Sequence, residues 1–257
     1  MAFPPFKDFC ASHYEEIVQL LQTRRVQTNE VRRCAYLYPA FCKVHQRLSK
    51  PLALMEIGTA AGLNLIWDRY SYSYGDGKVV GAEGSKVRIT STINGPNKPS
   101  LEDQPPPVTY SVGVDVRVLD LTDDDHLLWL RSLIWPEHKE RVERLTSAAS
   151  ILRADPPRLL QGDAVHVLEE LSQEVPKEAV LCVYHTHVAN QFSSEKKETL
   201  FKIVDRMANQ RPICHLYNNM QDGFLHLDIL GVNQPTRETI AKTDGHARWF
   251  EWMPSVG

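Results

Sequence analysis

Residues 52–65, Leu-Ala-Leu-Met-Glu-Ile-Gly-Thr-Ala-Ala-Gly-Leu-Asn-Leu, constrain this chain more than any other stretch, because they join a buried strand, a glycine turn and the expected start of a helix. Pro51 suits a strand start, and Glu56 stands where the strand ends. Gly58 and Gly62 bracket small residues, so backbone N–H groups can approach a ligand without a side chain intervening. The spacing excludes two common nucleotide cradles. A phosphate loop needs Gly-Lys-Ser/Thr after the turn, where this chain has Gly62-Leu63-Asn64, and the dinucleotide fingerprint needs a third glycine that is absent.

Further along, α/β elements follow in order. Residues 108–115 form a β-branched and aromatic run ending in Asp115. A short strand at 158–161 leads into Gly162-Asp163-Ala164, and residues 179–187 are a continuous apolar run ending in His185-Thr186-His187, as in a parallel strand buried on both faces. Ser193-Ser194-Glu195 opens a helix with Leu200, Ile203, Val204 and Met207 at helical spacing. Residues 212–217 read as a strand, and 224–230 and 247–252 as a closing antiparallel pair. At the N-terminus, residues 8–21 are periodic as a helix, Thr28 suits the N-cap of a second one with Glu30 in its first turn, and Pro39 is expected to kink or split it. A helix is expected to follow the glycine turn as far as Tyr70. Residues 71–107 are then too long for an ordinary connection and contain strand-like pieces at 78–80 and 86–93, so they read as a β insertion. Two helices, 124–133 and 136–153, are expected between the second and third strands. Tyr70, Tyr72 and Tyr74 alternate at strand spacing, which ordinary strand composition explains.

The pattern Glu56-x-Gly58-x-x-x-Gly62-x-Asn64 after a strand resembles the first motif of class I S-adenosylmethionine-dependent methyltransferases. The resemblance implies a Rossmann-like, mostly parallel sheet flanked by helices and ending in an antiparallel hairpin, with S-adenosylmethionine as cofactor. It implies that Glu56, Gly58, Thr59, Gly62 and Asn64 pack against the methionine and ribose part, that Asp115 holds the ribose hydroxyls, that Asp163 and Ala164 meet the adenine, and that His185 lies where a small-molecule acceptor approaches. A helix preceding the first strand commonly covers the methionine end, which makes Asn29, Glu30 and Arg33 candidates there. More specifically, residues 26–32, 56–65 with 68–75, and 133–138 resemble an uncharacterised bacterial family, domain of unknown function 2332, across nearly the whole chain. Members of that family carry a further helical region ahead of the point where Met1 stands, so a short form is expected. The organisation expected is an N-terminal helical segment, 1–50, packed on one α/β domain, 51–257, with the insertion at about 71–107.

Bulk properties restrict the alternatives. A chain of 257 residues with 42% hydrophobic content can bury one large core. Its net charge of −3 gives no general attraction to nucleic acid or anionic membrane, and no apolar run approaches the ~20 residues of a membrane span. Five cysteines, with no C-x-x-C pair, read as reduced packing residues, and the expectation is a cytoplasmic protein of open oligomeric state. Two other functions stay open. Residues two apart on a strand point the same way, so His185 and His187 would ligate one metal in a hydrolase, with His215, Asp163 or Asp228 completing the set. The third reading is a non-catalytic fold relative that binds a nucleotide or a partner, consistent with the lack of an acceptor-side Asn/Asp-Pro-Pro-Tyr motif.

Overall fold

The computed structural model describes residues 3–254; residues 1–2 and 255–257, the outer ends of the two expected segments, lie outside it. The N-terminal helical run divides into α1 (Phe3–Ser12) and α2 (Tyr14–Thr23), neither of which has a buried residue. Residues 24–30 belong to no helix or strand, and a 3-10 turn at Val31–Arg33 leads into α3 (Cys34–Leu48). The side chain that caps this turn is Glu30, accepting from Arg32 N, and not Thr28. Pro39 lies inside α3 without splitting it. The proline has no N–H to give the carbonyl of Ala35 one turn earlier. The Tyr74 hydroxyl donates to that oxygen at 2.9 Å instead.

β1 (Leu52–Ile57) is buried along its whole length. No α-helix follows it: residues 58–66 are turns, closed by a 3-10 turn at Trp67–Arg69. Tyr70 and Tyr72 fix this connection, their hydroxyls donating to the carbonyls of Leu63 and Trp67. The insertion builds a small sheet of β2 (Ser71–Ser73), β3 (Val80–Gly81) and β4 (Arg88–Thr90) in the order β3-β2-β4. The expected strand at 86–93 breaks at Ser91, after which β5 (Thr92–Asn94) joins the main sheet. β6 (Val108–Asp115) runs parallel to β1. The two helices expected next are α4 (Asp124–Ser132) and α5 (Lys139–Ala154), followed by β7 (Arg158–Gln161), α6 (Ala164–Ser172), β8 (Val180–Thr186), α7 (Ser194–Ala208) and β9 (Ile213–Asn218).

The chain ends as a meander of β10 (Phe224–Leu230), β11 (Thr236–Thr243) and β12 (Trp249–Trp252), antiparallel throughout. The expected pairing of 224–230 with 247–252 is therefore wrong, because β11 lies between them. Its Arg237, Glu238 and Lys242 hide the apolar pattern of an otherwise β-branched run. The nine-stranded sheet has the order β5-β12-β11-β10-β9-β8-β1-β6-β7 and is mostly parallel. Alternating strand residues feed two cores. Leu52 and Leu54 of β1 and Cys182 and Tyr184 of β8 join α3 and α5 on one face, while Met55 and Val183 join α6 and α7 on the other. Leu200, Ile203, Val204 and Met207 of α7 are all buried there, each such side chain worth about 1.5–3 kcal/mol when removed from water. No helix of the described residues is long and apolar enough to cross a membrane.

Candidate functional site

In the parallel part of the sheet, chain order runs outward from β1 through β6 to β7 on one side, and through β8 to β9 on the other. Where strand order reverses, the connections leave in opposite directions and a crevice opens at the carboxyl ends of the strands. A cavity of about 190 Å³ lies there, lined among others by Gly58 after β1, Asp115 at the end of β6, Thr186 at the end of β8, and His187 and Val188 beyond it. Residues 25–29 and Arg33 form its outer wall.

Gly58 has φ +73°, and a Cβ there would stand 2.6 Å from Val188 Cγ2, so both its backbone and its space require glycine. Asp115 is 7% exposed and accepts three hydrogen bonds. Its Oδ1 takes Arg117 N at 3.0 Å, and its Oδ2 takes Ala60 N at 2.9 Å and Gln27 Nε2 at 2.7 Å. The turn was expected to offer its N–H groups to a ligand. Instead the chain satisfies them itself: Gly58 and Thr59 donate to Val114 O, Ala60 to Asp115, Gly62 to Thr59 O, and Ala61 and Leu63 to Asn29 Oδ1 at 3.3 and 3.1 Å.

Asn64 lines the cavity, its side-chain oxygen accepting from Cys34 Sγ. Glu56 and Thr59 lie behind the cavity wall, fully enclosed, with Thr59 Oγ1 donating to Glu56 Oε2 at 2.7 Å. Burial pushes the Glu56 carboxyl up to about 8, against hydrogen bonds from Thr59 and Asn64 that favour its charged form. Gly62 packs under Leu159 and does not line the cavity. Nor do Asp163 and Ala164. Asp163 caps α6, accepting from Val165 N, and pairs with Lys196 Nζ at 2.7 Å. Of the candidates Asn29, Glu30 and Arg33, Asn29 and Arg33 reach the cavity. Glu30 turns away to Arg141, whose Nε lies 2.7 Å from its Oε2.

The two histidines part company. His185, inside β8, is fully buried and places its Nε2 3.2 Å from His215 Nε2. It does not line the cavity, and burial lowers its pKa to about 3, which keeps the ring neutral. His187 lies past the strand end at φ +56°, its N–H donating to Asn218 Oδ1. That left-handed residue ends the two-residue alternation, so the expected same-side pair does not form. His187 lines the cavity, and its Nδ1 lies 3.0 Å from Asn219 Nδ2. With Asn219 donating to Nδ1, the imidazole proton sits on Nε2, and burial holds the pKa down at about 4. Such a ring is a hydrogen-bond donor before it is a base. Among the described residues no group of three or more His, Cys, Asp or Glu is arranged to hold a metal ion.

The site therefore unites Gly58, Asp115 and His187, legible at strand ends, and Asn64 of the turn after β1 with Arg25, Gln27 and Thr28, which no local pattern marks as ligand-facing. The only sequence signal is for Gln27 and Thr28, in the polar stretch 27–30 ahead of a helix; Arg25 has none. A family model described as "Uncharacterized protein conserved in bacteria (DUF2332)" matches residues 1–252. No curated protein and no solved structure matches the chain.

Proposed function

The chain belongs to that family of uncharacterised bacterial proteins, and from the geometry of its cavity we propose that it binds S-adenosylmethionine and transfers a methyl group to a small acceptor. The observation that carries this reading is the cavity at the strand-order reversal, with a buried carboxylate, Asp115, at the end of the neighbouring strand. The order β7-β6-β1-β8-β9 corresponds to 3-2-1-4-5, the order of doubly wound Rossmann-like sheets, in which ligands bind at this point. Asp115 has the acceptor oxygens that ribose hydroxyls need, and Gly58 lines the same cavity. The fit is weaker at the adenine end, because Asp163 is engaged with Lys196 and lies outside the cavity.

When bound, the sulfonium would supply an already activated methyl group. The chain's own work is then alignment of the acceptor for in-line attack and exclusion of water. His187 would line the acceptor's side of the cavity as a neutral ring. Calorimetric titration with S-adenosylhomocysteine, beside Asp115→Asn, tests the reading. Micromolar binding weakened about tenfold or more by the substitution is expected, as for loss of a charged hydrogen-bond acceptor. Absence of binding by folded wild-type protein overturns it.

A second reading, a binding module without transferase activity, draws support from the turn at 58–63, whose N–H groups are already taken. It prevails if the homocysteine product binds while no acceptor class becomes labelled by methyl-labelled cofactor.

A further inference from the structure

Residues 24–30 cross the mouth of the cavity as a strap between α2 and the 3-10 turn at Val31–Arg33. Both ends are anchored. Arg24 pairs with Asp125, and Trp129 Nε1 donates to Arg25 O at 2.9 Å; at the other end Glu30 is buried against Arg141 and Arg144. The middle is not packed: Val26 is 82% exposed, and Gln27 and Asn29 are half-buried only because they reach inward. What they reach for is the ligand-binding machinery itself. Gln27 Nε2 donates to Asp115 Oδ2 at 2.7 Å and to Arg117 O at 3.3 Å, while Asn29 Oδ1 accepts from the Ala61 and Leu63 N–H groups.

Each contact has the polarity of a ligand contact. A donor on Asp115 is what a sugar hydroxyl supplies, and an oxygen accepting from two turn amides is what a ligand carboxylate supplies. With the strap closed, the cavity of about 190 Å³ is smaller than the roughly 300–1,000 Å³ of ordinary small-molecule sites. We propose that residues 25–29 form a displaceable lid, whose Gln27 and Asn29 side chains occupy the places of a ligand carrying hydroxyl donors and a carboxylate, so that closure of the empty site and ligand binding compete. This rests on the cofactor reading above for the identity of the ligand, and on the strap contacts for the competition.

Gln27→Ala separates the two. The residue lies on an irregular, partly exposed segment, so the variant keeps its fold. The substitution frees Asp115, so affinity for S-adenosylhomocysteine should rise roughly three- to tenfold, the worth of one net hydrogen bond. In the absence of ligand, limited trypsin digestion should also cut faster after Arg25, because the strap has lost its central tie. Unchanged or weaker affinity in Gln27→Ala, with wild type binding normally, overturns the lid and leaves the cofactor reading standing. If neither protein binds, the cofactor reading fails, and an unchanged cutting rate then overturns the lid as well.

Discussion

Glu56, the penultimate residue of β1, is a carboxylic acid enclosed by Thr59, Asn64 and Tyr184, and its pKa of about 8 makes it mostly protonated at neutral pH. An acid whose folded pKa is raised above the ordinary 4.5 stabilises the fold fully below about 4.5, and that contribution is lost as pH rises toward about 8. Glu56→Gln keeps an oxygen for the Thr59 hydroxyl and removes the titration. Chemical denaturation at pH 5.5 and 8.5 should show a smaller fall in stability for the variant than for wild type; equal falls would contradict an acid at this position. At this scale the sequence was a fair guide wherever a residue ends a strand. Asp115 and Gly58 reach the cavity because strand ends in a parallel sheet share one edge. The guide failed where contacts are remote: Gln27 meets Asp115 across 88 positions, and no local pattern predicts that. It failed again where a single φ decides, as at His187.

Among the elements, α3 carries a proline that its own helix cannot accommodate without leaving a carbonyl bare, and the insertion supplies the missing donor from Tyr74. Tyr74→Phe keeps the ring, which meets Phe250 edge-on at 5.8 Å, and deletes only the hydroxyl. A buried carbonyl left without a partner costs about 1–3 kcal/mol. Urea unfolding should show that loss with an unchanged m-value. This tie explains why the three tyrosines, which looked like ordinary strand composition, are all buried. Each hydroxyl pins a different carbonyl, at Leu63, Trp67 and Ala35. The parallel strands were legible because burial on both faces leaves continuous apolar runs. Turns replace the helix expected after β1: Asn29 and Asp115 take the N–H groups of residues 60, 61 and 63 from outside the segment, and Tyr70, at its far end, takes the Leu63 carbonyl. Their contribution comes from tertiary structure, which a window of sequence does not contain.

For the molecule as a whole, opposing titrations set a pH of greatest stability. His185 and His187, held neutral with pKa values of about 3 and 4, and His215, lowered by burial and by His185, destabilise the fold as pH falls below the ordinary 6.5, because the unfolded chain then binds more protons. Glu56, and Asp228 with its pKa raised to about 6, act in the opposite direction as pH rises. The lowered histidines, His246 among them, outweigh the raised carboxyls, Asp68 among them, below neutrality, and Glu56 persists above it. The balance places the maximum between about pH 6 and 7. Thermal unfolding scanned from pH 5 to 8.5 should show that maximum, and a monotonic profile would refute the balance.

The far edge of the nine-stranded sheet is closed by β5, three residues from the insertion, lying parallel to β12 at the end of the chain. Ser91 Oγ donates to Ala247 O beside it, across 156 positions. A ribosome extending the chain at about 5–20 residues per second needs roughly 8–30 s to cover that distance. Throughout that interval β5 has no edge to join, so this edge of the sheet closes only after Trp249–Trp252 has emerged. Until then the outer edge of β11 stays unpaired, and it is there that a chaperone, or a neighbouring nascent chain, has its opportunity.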